Sequence, residues 1–167
     1  MTTLIDFSLF QYKCIEINQG NEIFTYKTDE NTAKKINSEL FDTFKNLTTT
    51  RNIINDLFGK KNNHEVRESK QRDLILNIFK SFGFKDGYID QYIGSNSIYQ
   101  TKTKGERRLF YLIETLDLPK NDKIIILKPL FLDVNHVIYN NEHFPKNFQV
   151  CVVCLEKKCH KQINQIY

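Results

Sequence analysis

Tryptophan is absent from the 167 residues, and proline (3) and glycine (6) are scarce. With so little proline and glycine, no linker rich in these residues divides the chain. No internal repeat is present either, so one domain spanning 1–167 is expected. No Gly-rich phosphate loop, nucleophile elbow or H-E-x-x-H pair occurs, which removes the commonest motif-borne chemistries. No apolar run approaches the roughly 18 residues of a membrane span. The richest stretch, Ile124 to Leu132, is interrupted by Lys128 and Pro129. The N-terminal "MTTLIDFSLFQYKC" lacks a basic region followed by an apolar core, so no export signal is expected. Cysteine is limited to Cys14, Cys151, Cys154 and Cys159. Clustered thiols without an export signal fit a reduced, cytoplasmic protein better than a disulfide framework.

The chain does have a globular protein's share of hydrophobic (40%) and aromatic (13%) residues, which excludes wholesale disorder. The net charge of +4 and pI near 8.8 allow contact with nucleic acid without demanding it, because Glu22, Asp29, Glu30, Glu65 and Glu68 are interspersed among the lysines. Alternation over Gln11 to Asn18 and Glu22 to Lys27 around Gly20 predicts a hairpin. The period then changes. Ala33, Ile36, Leu40, Phe44 and Leu47 recur at helical spacing, "TTTRNIINDLFGK" reads as a second helix, and Leu74, Ile75, Ile78, Phe79 and Phe82 mark a third, ended by Gly83. "KKNNHE" reads as a polar loop. From "KDGYIDQYIGSNS" onward the pattern is strand-like. Runs at Ile98–Thr103, Arg107–Glu114 and Lys123–Leu132 are separated by turn chemistry, "DVNHVIYN" adds a short element, and "FQVCVVCLE" a last strand. The hairpin and helices occupy about 11–83 and the β-rich half about 88–155, with a short basic tail at 156–167. The expected class is α+β, a largely antiparallel sheet with about three helices packed on one face.

Chemistry is concentrated in a few places. "IYQTKTKGERRLFYLIE" sets Lys102, Lys104, Arg107 and Arg108 around Gly105. Strand alternation puts Arg107 with Leu109, Tyr111 and Ile113, and Arg108 with Phe110 and Leu112, so the two arginines point apart. The cluster reads either as a hairpin kept soluble by charge or as a landing place for phosphates. "CVVCLEKKCH" offers Cys151, Cys154, Cys159 and His160 (or His143) for a structural zinc. The β-branched, apolar surroundings favour instead an extended strand with the cysteines on opposite sides. The acids Asp86, Asp90, Glu114, Asp117 and Asp133 form no recognisable two-metal nuclease motif.

The order "SIYQTKTKGERRLFYLIETLDLPKNDKIIILKPLFLDVNHVIY" resembles the β-meander that closes RelE/ParE-type toxins, over Ser97 to Tyr139. That resemblance implies metal-free RNA cleavage by attack of a 2′-hydroxyl on the adjacent phosphate. Arg107, Arg108 and Lys128 would supply positive charge, with Tyr111, His136 and Tyr139 as proton-transfer candidates. Each has a structural counter-reading: Tyr111 as a core tyrosine, Lys128 as the mark of an edge-strand bend before Pro129, His136 as a turn cap. The reading preferred from the residues is a macromolecule-binding protein without catalysis. Its partner is expected to be nucleic acid or a nucleic-acid-associated protein, met through the basic hairpin, and inhibitors carried by phages or mobile elements share this profile. The alternatives are a RelE/ParE-like endoribonuclease and a zinc-stabilised nucleic-acid-binding module.

Overall fold

The computed structural model describes residues 2–11, 18–19, 22–23, 30–49, 63–103, 107–119, 122–133 and 138. In chain order the elements are β1 (Thr2–Ile5), a 3-10 turn (Phe7–Leu9), β2 (Asn18–Gln19), β3 (Glu22–Ile23), α1 (Glu30–Thr49), β4 (Asn63–Glu65), α2 (Ser69–Ser81), α3 (Asp86–Ile89), a π turn (Asp90–Gly94), β5 (Ile98–Lys102), β6 (Arg108–Asp117) and β7 (Lys123–Asp133). β2 and β3 pair as a small antiparallel ribbon, where the hairpin around Gly20 is expected. The main sheet has the order β1-β7-β6-β5-β4. All its pairings are antiparallel except that of β1 with β7, which is parallel.

The α+β class and the largely antiparallel sheet stand as expected, but the helices divide between the two faces. On one face Leu109, Tyr111, Ile125, Leu127 and Leu132 pack against Ile36, Leu40 and Leu47 of α1. On the other, Ile98, Phe110, Leu112, Leu130 and Phe131 pack against Leu74, Ile75, Ile78 and Phe79 of α2, with Ile89 and Ile93 beside them. The cause lies in β6, where Leu109, Phe110, Tyr111 and Leu112 are all buried. A strand apolar on successive residues needs cover on both sides.

β7 is an interior strand, because β1 pairs along its outer side, so the alternative reading of Lys128 as the mark of an edge-strand bend does not hold. Pro129 is accommodated at a bulge. Phe110 and Tyr111 of β6 face Phe131 and Pro129, leaving Leu130 as the extra residue. The Leu130 carbonyl instead accepts from the Gln11 backbone N–H at 2.7 Å.

α2 closes with a Schellman motif. Gly83 (φ +87°) donates to the Lys80 carbonyl at 2.9 Å, and Phe84 N–H reaches the Phe79 carbonyl at 3.3 Å. The accompanying apolar contact is that between the Phe79 and Phe84 rings, centroids 5.4 Å apart. Two further expectations are corrected. "KKNNHE" contains a strand, β4, whose Asn63 and His64 side chains bond across to Thr101 and Gln100 of β5 and so offset poor strand propensity. The stretch from Asp86 is helical because Ile89 and Ile93, four apart, are both fully buried. The second expected helix beyond Thr49 and, Ile138 apart, the elements expected beyond Asp133 lie outside the described residues.

Candidate nucleic-acid interface

The sheet end beside the β5–β6 connection carries polar groups on both faces. Facing α1, the Arg107 guanidinium pairs with the Glu39 carboxylate, the two side chains only 14% and 8% exposed. Glu39 reaches this place because it falls within the inward stripe Ile36, Leu40, Thr43 and Leu47. A carboxylate in that stripe needs a cation opposite it, and the first residue beyond the hairpin provides one. Thr103 and Arg107 are held opposite each other by the Thr103 N–H, which donates to the Arg107 carbonyl at 2.8 Å. Buried Thr103 Oγ1, Arg107 Nε and Tyr111 Oη have no hydrogen-bond partner among the described residues. Tyr111 is 1% exposed, with its ring stacked on Tyr99 at 6.1 Å. Burial, and secondarily Tyr99, pushes its phenol well above the ordinary range and keeps it neutral.

The opposite face presents a different set. Lys102 of β5 and Arg108 of β6 are direct register partners, both half-buried, and Asp133 of β7 stands across from Arg108. Asp133 is itself buried and accepts from the Ile138 backbone N–H at 3.0 Å. Two residues along β5, the Gln100 side-chain amide meets Nε2 of His64 on β4. Partial burial, followed by the charge of Arg108, holds the His64 pKa below its ordinary value of 6.5.

Of the four cations around Gly105, the structure brings Lys102 and Arg108 together and separates Arg107 from them. Lys104 lies outside the described residues. The pattern in the sequence does divide the two arginines, but the acid that holds Arg107 lies 68 positions before it, and its sign in the sequence is Glu39 within an apolar helical stripe. Lys128 is also elsewhere. It pairs with Glu114 at 2.6 Å and more loosely with Asp6 at 3.8 Å. Its register partner Leu112 is about 13 Å along β6 from Arg108. The Asp6 carboxyl is held below its usual range chiefly by the Ser8 backbone N–H. Arg107, Tyr111 and Lys128 thus occupy three separate settings, each built into the packing. His136, Tyr139, His143, Cys14, Cys151, Cys154, Cys159 and His160 lie outside the described residues, so the zinc expectation falls there too. Among the described residues no group of three or more His, Cys, Asp or Glu side chains could hold a metal ion. None of the described helices is long and apolar enough to cross a membrane.

A family model described as "Uncharacterised protein UU032" matches residues 8–161. The chain belongs to this family. The match takes in every element of the sheet except β1, and both faces of the Lys102–Arg108 end. No curated protein and no solved structure gives a significant match.

Proposed function

We propose that this member of the UU032 family is a binding protein that holds a nucleic-acid backbone at the β4–β5–β6 end of its sheet, on the face bearing His64, Lys102 and Arg108. The observation that carries this reading is the cross-strand adjacency of Lys102 and Arg108, with His64 on the same face of the neighbouring outer strand. Cations fixed on neighbouring strands meet successive phosphates without ordering long side chains from solvent. The reading keeps the partner expected from the basic hairpin while shifting the contact to one face of it. Arg107 neutralises Glu39 and Tyr111 fills the core, so both support the fold rather than the ligand. A cytoplasmic setting with reduced cysteines fits the same reading.

The test is fluorescence anisotropy with labelled RNA and DNA oligonucleotides at low salt. Lys102→Gln with Arg108→Gln should weaken binding at least tenfold while leaving the far-UV circular dichroism unchanged. Wild-type affinity in that folded double variant would end the proposal. RNA incubated with the protein in EDTA should remain intact. Cleavage by wild type that is lost in an Arg107→Ala variant still folded by circular dichroism would replace the binding reading with the RelE/ParE-like one.

A further inference from the structure

An aromatic ladder runs from Phe84, just before α3, along the outer surface of α3 and the π turn that ends three residues before β5. Phe84, Tyr88 and Tyr92 recur every four residues. Phe84 and Tyr88 rings lie 5.5 Å apart at 27°, and Tyr88 and Tyr92 rings 4.5 Å apart at 33°. Phe84 is anchored on Phe79 in the core, whereas Tyr88 is 39% and Tyr92 46% exposed. The alternate residues Ile89 and Ile93 are fully buried, so the element is fixed from beneath and its rings are displayed above. Its end is tied down as well. Ser95 N–H bonds to the Asp90 carbonyl at 3.0 Å, closing the π turn, and the Asn96 side-chain amide donates to the Tyr92 carbonyl at 3.0 Å. Arg72 then clasps the exit by donating to the Gly94 and Asn96 carbonyls at 2.9 and 3.1 Å.

This is more order than two exposed tyrosines need for solubility. Displaying large rings to water costs free energy that burying them would recover. Around them the element exposes Lys85, Asp86 and Asp90. Lys80 is bridged to Asp86 at 3.0 Å, and the phenols offer π faces and hydroxyls but no ions. Such a surface takes flat, uncharged groups, and the charge for a polyanion must come from elsewhere. It comes from the same side of the sheet: Ile89 and Ile93 pack with Ile98 and Phe110, on the face that carries Lys102 and Arg108. Ile98, in the same apolar cluster as Ile89 and Ile93, opens β5, which runs about 13 Å to Lys102.

We infer that the Tyr88–Tyr92 ladder is a stacking platform for the bases of a single-stranded nucleic acid whose phosphates rest on Lys102 and Arg108. The inference rests on the binding reading above and adds the strandedness of the ligand. Stacking is available to any base, so recognition is for unpaired bases rather than for sequence. A duplex, whose bases are already stacked inside, meets only the cations.

The experiment compares a labelled single-stranded RNA with the duplex of the same sequence, by anisotropy, against wild type, Tyr88→Ala/Tyr92→Ala and Tyr88→Phe/Tyr92→Phe. Circular dichroism and thermal melting check that each variant is folded. Wild type should prefer the single strand. The alanine pair should lose about fivefold or more per ring on the single strand and less than twofold on the duplex. The phenylalanine pair, which keeps the π faces, should bind within about twofold of wild type. Unchanged single-strand affinity in the alanine pair overturns the platform while leaving phosphate binding in place. Equal losses on single strand and duplex overturn it too, as does capture of a proline-rich peptide by a ladder indifferent to RNA. Absence of any wild-type binding, to either probe, overturns the underlying reading instead.

Discussion

Removing the Arg107 side chain tests whether this arginine is structural. In Arg107→Ala the Glu39 carboxylate, in a residue 6% exposed, would lose its ion-pair partner within the layer between α1 and the sheet. Breaking a buried pair from one side costs about 3–5 kcal/mol. For a domain of this size each kcal/mol moves the melting midpoint by about 2–4 °C, so a fall of about 6–20 °C is expected. The companion variant Arg107→Met/Glu39→Leu removes both charges together. Because Arg107 Nε is already without a partner among the described residues, the pair is incompletely satisfied. Its apolar replacement should therefore recover most of the loss. Urea unfolding followed by far-UV circular dichroism is the suitable assay, since the chain has no tryptophan to report by fluorescence. The double-mutant cycle then isolates the coupling. Arg107→Ala within about 0.5 kcal/mol of wild type would refute the reasoning and return Arg107 to the pool of ligand-facing cations.

Tyr111→Phe removes a buried hydroxyl with no partner among the described residues, so stability should be unchanged or rise by about 1 kcal/mol, read by the same unfolding assay. Gly83→Ala should cost about 1–2 kcal/mol although there is open space around the added methyl, because the backbone at φ +87° disfavours any Cβ. His64 should titrate below 6.5 by NMR, and Arg108→Gln should raise its midpoint only in part, since burial is the larger cause. The sign for stability follows. The unfolded chain binds the His64 proton more readily than the folded one, so this contribution is complete above the ordinary value and is lost as pH falls below it. His64→Gln should flatten that part of the stability profile.

Much of the fold could be read from local pattern. α1, α2 and the three long strands follow from helical spacing and β-branched runs, and the Gly83 stop from its chemistry. What escaped depends on tertiary partners. β4 is a strand because β5 offers Thr101 and Gln100 to its polar side chains, not because Asn and His favour extension. β1 exists because β7 has a free side for it. The π turn after α3 was hidden by "YIDQYIG", which suits either period until Ile89 and Ile93 are seen to share one buried side. At the candidate interface, strand alternation did separate Arg107 from Arg108. Glu39 was visible as a charge inside an apolar stripe, but its partner could be named only once α1 was laid on the sheet.

The central claim is that Lys102 and Arg108, and not Arg107, meet the phosphates. The most direct measurement is the slope of log affinity against log salt for a short oligonucleotide. Lys102→Gln/Arg108→Gln should make that slope shallower by about one to two units. Arg107→Met/Glu39→Leu should leave it at the wild-type value. A slope unmoved by the first pair and reduced by the second would contradict the account.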